Sequence, residues 1–307
     1  MSSTNNLNLK KWAAVASVGT ASILSIIKAG AAVFTGSLSV LSSMIDSLSD
    51  VISSLVTLVA IRISDKPLTD KHRYGYGKIE CVSVLVQAAF IAGSAAFILY
   101  DGINRFIKPV EMRQTTVGII VMLISLLLSF ALIIFQKYVV KKTASKAIAA
   151  DSAHYVVDVL SNLSVIVSLI VVRLFHIEWF DVLIAVLIAV YMLVNAYRIT
   201  VEALAEITDA EVDETIKQQI INMASQVKGV KGCHDFRSRA AGSRIFVEMH
   251  IELDGNLTLY EAHALTDEVE KQIAEVYPQA QIIIHQDPYG IEEKRLDYQI
   301  NGTSFDA

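Results

Sequence analysis

Cysteine is almost absent from this chain. Cys81 and Cys233 are the only two in 307 residues, which argues against a disulfide framework. A surplus of basic charge is missing as well. Lys and Arg number 26 against 31 Asp and Glu, and a formal net charge of −5 implies no nucleic-acid partner. There is no glycine loop to cradle a phosphate and no phosphorylatable aspartate motif, so ATP drive is not expected, nor enzymatic activity. Nothing points to an organic cofactor. Lys10 and Lys11 precede the first apolar stretch, as in a secretory signal. That stretch is too long and lacks a small-residue cleavage site, so it reads as a retained first span.

What the chain has in quantity is apolar character. Hydrophobic residues make up 53% of it, and its mean hydropathy is +0.49. Runs of about 18 or more mostly apolar residues are candidate membrane spans. Six occur, near 12–34, 37–61, 82–103, 115–136, 152–174 and 179–200. From about residue 205 the composition turns charged and mixed. The expected fold is therefore an α-helical membrane protein with six transmembrane helices and a C-terminal α+β cytoplasmic domain. The expected division is 1–208 for transport, 209–290 for the αββαβ, ferredoxin-like domain, and 291–307 for a polar tail without order.

Basic residues in short loops mark the cytoplasmic side. Lys66, Lys71, Arg73 and Lys78 follow span two, and Lys137, Lys141, Lys142 and Lys146 follow span four. The opposite loops are poorer, although "NRFIKPVEMR" weakens the bias. Both termini are expected in the cytoplasm, with Trp179 and Phe180 as an interfacial anchor. For a bacterium, the compartment is the inner membrane.

Charges inside the apolar runs carry the functional signal. Asp46 and Asp50 in "MIDSLSDVI" are four residues apart, hence on one helix face. Seven serines around them make span two semi-polar, as suits a helix within a bundle. Span five repeats the spacing with His154 and Asp158 in "HYVVD", and Asn162 lies one turn further. Ionisable groups at such depth face a protein interior or a water-filled path and mark function. Three carboxylates and an imidazole form a tetrahedral donor set for a divalent cation. Two other readings stay open at this point: structural hydrogen bonding between helices, and a pure proton relay.

"DSLSD", "HYVVD", "YGYGKIE" and "IIHQDP", set among six spans and a His-bearing soluble domain, resemble the cation diffusion facilitator family. The resemblance runs from about Gly36 to Pro288 and is greatest to bacterial ferrous-iron/zinc efflux pumps. It implies a homodimeric antiporter that exports Zn²⁺ or Fe²⁺, with Cd²⁺ also suited, in exchange for protons. The implied transport site is Asp46, Asp50, His154 and Asp158. The absence of thiolate from this set disfavours soft ions such as Cu(I). A metal-gated channel and a non-transporting membrane metal sensor are the rivals.

Family members can bind a second metal in the loop after span two. Here Asp70 and His72 are present, but Thr69 and Tyr76 stand where further ligands would be, so a basic loop with glycine turns is the preferred reading. The resemblance also implies a charge interlock at the dimer interface between Lys78 and Asp209.

In the soluble part, helices are expected over 211–227 and 258–276, and strands over 232–239, 243–253 and 280–286. Alternation puts Val247, Met249, Ile251 and Leu253 on one face and Glu248, His250 and Glu252 on the other. Four of the seven histidines fall here with carboxylates nearby, which favours metal binding. The resemblance implies a binuclear zinc site at the dimer interface from His234, His250, His263, His285 and Asp287, with Asp287 bridging. Its implied role is sensing. Cys233 should face away from this set, and His176, in an outer loop, is incidental.

Overall fold

In the computed structural model, residues 2–35, 38–107, 116–175 and 179–291 are described, together with Arg295 and Asp297. His176 and the side chains of Asp46, Trp179 and Phe180 fall outside the described residues. The chain divides into two compact units, Met1–Leu204 and Ala205–Ala307.

Six long helices make up the first: α1 (Ser2–Thr35), α2 (Leu38–Ser64), α3 (Ile79–Ile107), α4 (Thr116–Thr143), α5 (Lys146–Phe175) and α6 (Trp179–Ile207). At about 1.5 Å per residue each exceeds the ~30 Å of a hydrocarbon core. Among the described residues, α1, α2, α3, α4 and α6 are also apolar enough to cross a membrane. α5 spends its first half on Lys146, Asp151, His154 and Asp158. Such a helix is tolerated in a bilayer only when its polar face is covered by other helices.

Small residues let the helices approach closely. Ala13 and Ala14 of α1 meet Leu58 and Ile61 of α2, Val139 of α4, and Ala147 and Ile148 of α5 in one core cluster. Ile91 and Ala95 of α3, Val157 of α5, and Ala189, Met192 and Ala196 of α6 form a second. The opposite face of α6 leaves Leu187, Val194 and Tyr197 exposed, as a lipid-facing surface requires.

One end of this bundle is closed by a buried carboxylate. Glu80, in the first turn of α3, is 2% exposed. It accepts hydrogen bonds from Lys10 Nζ at 2.9 Å, Ser145 Oγ at 2.7 Å and Ser64 Oγ at 3.2 Å. These donors lie near the start of α1, just before α5 and at the last residue of α2. Lys11 adds an ion pair to Asp65 at 3.3 Å.

The second unit runs α7 (Glu214–Gln226), β1 (Gly232–Ala241), β2 (Arg244–Leu253), α8 (Leu259–Val276) and β3 (Ala280–Pro288). β2 is central, antiparallel to β1 and parallel to β3. Gly242, at φ 64°, supplies the left-handed backbone of the β1–β2 turn. Thr258 and Glu261 make a reciprocal capping box at the start of α8. One sheet face buries Val247, Met249, Ile251 and Leu253 against Ile220 and Ala224 of α7 and Val269 and Ile273 of α8. The other face is left for polar chemistry.

Candidate metal sites

In the helical unit, α2 and α5 bring three of the four expected ligands together. His154 Nε2 lies 3.0 Å from Asp50 Oδ1 and 3.9 Å from Asp158 Oδ2. One donor atom from each of the three lies within 4.8 Å of the others. Ligands around a tetrahedral Zn²⁺, with bonds of ~2.0–2.1 Å, stand about 3.3 Å apart. The observed separations bracket that figure, so the donor set fits a divalent cation. Asp46 lies one turn before Asp50 on α2, and its side chain is outside the described residues.

A cavity of about 590 Å³ opens from the cluster, lined by Leu24, Lys28, Asp50, Phe97, Asp158 and Asn162 among others. Its lining on α1 starts 14 residues after Lys10, and on α3 it starts six residues after Glu80. The cavity therefore leads away from the end that Glu80 closes.

In the second unit the sheet register builds the site. His234 of β1 pairs with His250 of β2, which pairs with His285 of β3. Three imidazoles thus stand in one row across the sheet, with ring centroids 5.1 and 4.7 Å apart. Two residues along, the next row on that face is Gly232, Glu252 and Asp287. Asp287 Oδ2 is 2.8 Å from His250 Nδ1 and 3.4 Å from His234 Nε2, while Oδ1 is 3.2 Å from His285 Nε2. A carboxylate that offers each oxygen to a different imidazole can bridge two cations, and the set fits Zn²⁺.

His263 is not brought into this row. It sits on α8 at 67% side-chain exposure, 3.8 Å from Asp267 one turn on. Glu252, to which alternation alone gives no role, is 8% exposed and lies 3.3 Å from His234 Nδ1. Gly232 makes room for it, since a Cβ there would approach Glu252 Oε2 to 2.9 Å. Arg295 also reaches Glu252, and Asp297 accepts from the Asp235 backbone N–H at 2.9 Å. Cys233 packs on the apolar side of the sheet. Burial pushes its thiol pKa up, so it stays a poor ligand near neutrality.

The loop residues are spread differently. His72 stacks on Tyr76 with ring centroids 4.4 Å apart, and Thr69 Oγ1 lies 3.3 Å from the Tyr76 hydroxyl. Asp70 and His72 are exposed and join neither ligand cluster. Lys78 and Asp209 fall in different units, and Asp209 Oδ1 is 3.4 Å from Arg239 within its own.

Two family descriptions match this chain: "Cation efflux transmembrane domain" over residues 14–208 and "Cation efflux protein, cytoplasmic domain" over 212–289. The chain belongs to the cation efflux family. Relatives align along nearly its whole length. The cation-efflux pump FieF of Citrobacter koseri is 38% identical over 293 residues, 93% of this chain and 96% of its own. FieF of Klebsiella pneumoniae is 37% identical over 284 residues, 91% of this chain and 93% of its own. Protein p34 of Rickettsia rickettsii is 38% identical over 292 residues, 94% and 96%. Among solved structures, the Zn form of the putative zinc transporter CzrB is 29% identical, with a TM-score of 0.25, over 27% of this chain and 97% of that one. The family assignment makes this an integral membrane transporter of metal cations.

Proposed function

We propose that this protein exports Zn²⁺ or Fe²⁺, with Cd²⁺ as a further substrate, in exchange for protons. The observation that carries the reading is the convergence of Asp50, His154 and Asp158 from two helices on one point beside a cavity. Asp46 is the fourth ligand by its place on α2. Oxygen donors with one imidazole suit a borderline or hard divalent ion. Coordinating groups must be deprotonated, so cation and protons exclude each other from the site. Alternating access to such a site couples the two fluxes without further machinery.

Both termini lie in the cytoplasm of a bacterial inner-membrane protein. The cluster is then open to the outside, where protons displace metal, and closed to the inside by the Glu80 contacts. The second unit is a cytoplasmic metal sensor that joins two copies of the chain. His234, His250, His285 and Asp287 carry its site, and His263 completes it on dimerisation. The Lys78–Asp209 pair is a charge interlock at the dimer interface. Asp70 and His72 alone make a weak loop site at most. Purified protein in sealed vesicles tests the main reading: an imposed pH difference should drive Zn²⁺ accumulation, and collapse of that difference should stop it. Zn²⁺ flux that ignores the pH difference would remove proton exchange.

A further inference from the structure

Asp151 belongs to neither ligand cluster, yet it is a fully buried carboxylate at 0% exposure. It lies on α5 three residues before His154, on the same helix face and about 4.5 Å lower along the axis. Gln136 of α4 donates Nε2 to Asp151 Oδ2 at 2.6 Å, and Gln87 of α3 donates Nε2 to Oδ1 at 3.2 Å. Gln87 also holds α2, the helix that carries Asp50. It donates to Thr57 Oγ1 at 2.7 Å and accepts from Ser53 Oγ at 2.7 Å. Among the described residues, the hydrogen bonds to this carboxylate come from neutral groups, the two amides and the Ser17 hydroxyl, and none from a cation. A buried charge held only by neutral donors is costly. If its role were only to join helices, a neutral acceptor would serve.

We propose that Asp151 is a positioning residue for the transport site. Through Gln87 it fixes α5 against α2 in the register that sets Asp50 beside His154. A divalent cation at the cluster, one turn above, favours the ionised form of this carboxyl, and by linkage the carboxylate favours the cation without touching it. The proposal rests on reading Asp50, His154 and Asp158 as a cation site. Outer partners of metal ligands typically contribute ~10–100-fold to affinity.

Co²⁺ is the probe, titrated into the full-length protein, with the Asp158→Ala variant titrated in parallel so that the difference isolates the transport cluster. Asp151→Asn keeps the size and should weaken Co²⁺ binding at the cluster by about tenfold or more. Its thermal midpoint should stay near that of the parent, and its KM for Zn²⁺ transport should rise while kcat changes little. The exchange variant Asp151→Asn with Gln87→Glu returns the charge to the same hydrogen-bonded pair and should recover part of the affinity. Asp151→Ala should in addition alter the Co²⁺ absorption bands as the cluster loosens. Parental affinity and bands in Asp151→Asn would overturn the proposal, as would weakened binding that the exchange variant does not improve. If parent and Asp158→Ala titrate alike, the cluster itself is not a cation site, and the underlying reading fails instead.

Discussion

At the scale of single residues, His154 is the centre of the proposed transport cluster. It is 3% exposed, and both described carboxylates approach the same ring nitrogen. Asp50→Ala or Asp158→Ala should abolish transport, with a loss beyond the ~10–100-fold typical of outer-shell partners. The protein should remain folded, because both side chains keep some exposure and neither fills a core position. Zn²⁺ uptake by vesicles, with monodispersity as the folding control, checks this. Cys233 gives a second expectation. Its raised pKa leaves less thiolate at any given pH, so alkylation near pH 8 should lag behind that of a small free thiol. Rates from iodoacetamide labelling decide it, and Zn²⁺ should not protect the residue. Spacing alone showed the i,i+4 pairs and the alternation that placed His250. It could not show Asp151 as buried, because its partners Gln87 and Gln136 are neutral and distant in sequence. Nor could it show that Gly232 leaves the space Glu252 fills.

Among the elements, the start of α3 is a place where three other chain segments meet one side chain. Glu80 joins α1, α2 and the segment before α5 at the end opposite the cavity. Breaking a buried ion pair by removing one partner costs about 3–5 kcal/mol. Glu80→Gln leaves the Lys10 ammonium, itself 4% exposed, without its counter-charge. The thermal midpoint in detergent should fall clearly. The double variant Lys10→Met, Glu80→Leu should recover much of it, since an apolar pair of similar volume often replaces a buried ion pair without loss. "YGYGKIE" marks this helix start in the sequence, but a partner seventy residues earlier leaves no local signal. The helices and strands themselves were legible, because lipid and sheet impose simple periods on the residues that face them.

For the whole molecule, the two ligand clusters lie in separate units and should fail separately. Composition already divides the chain there, since apolar runs stop and charge begins near residue 205. Register across three strands, which lines up His234, His250 and His285, needed the fold. Asp287 touches all three imidazoles, so Asp287→Ala removes the one group that ties the row together. It leaves Asp50, His154 and Asp158 intact. Transport of Zn²⁺ by Asp287→Ala should therefore persist at saturating metal. What should change is the association of two chains: Zn²⁺ should tighten dimerisation of the parent in detergent and have little effect on the variant. Light scattering across a Zn²⁺ series reads the dimer, and vesicle uptake reads the flux. Equal Zn²⁺ response in both proteins would separate the cytoplasmic row from dimerisation. Complete loss of flux in Asp287→Ala would instead make that row part of the transport path.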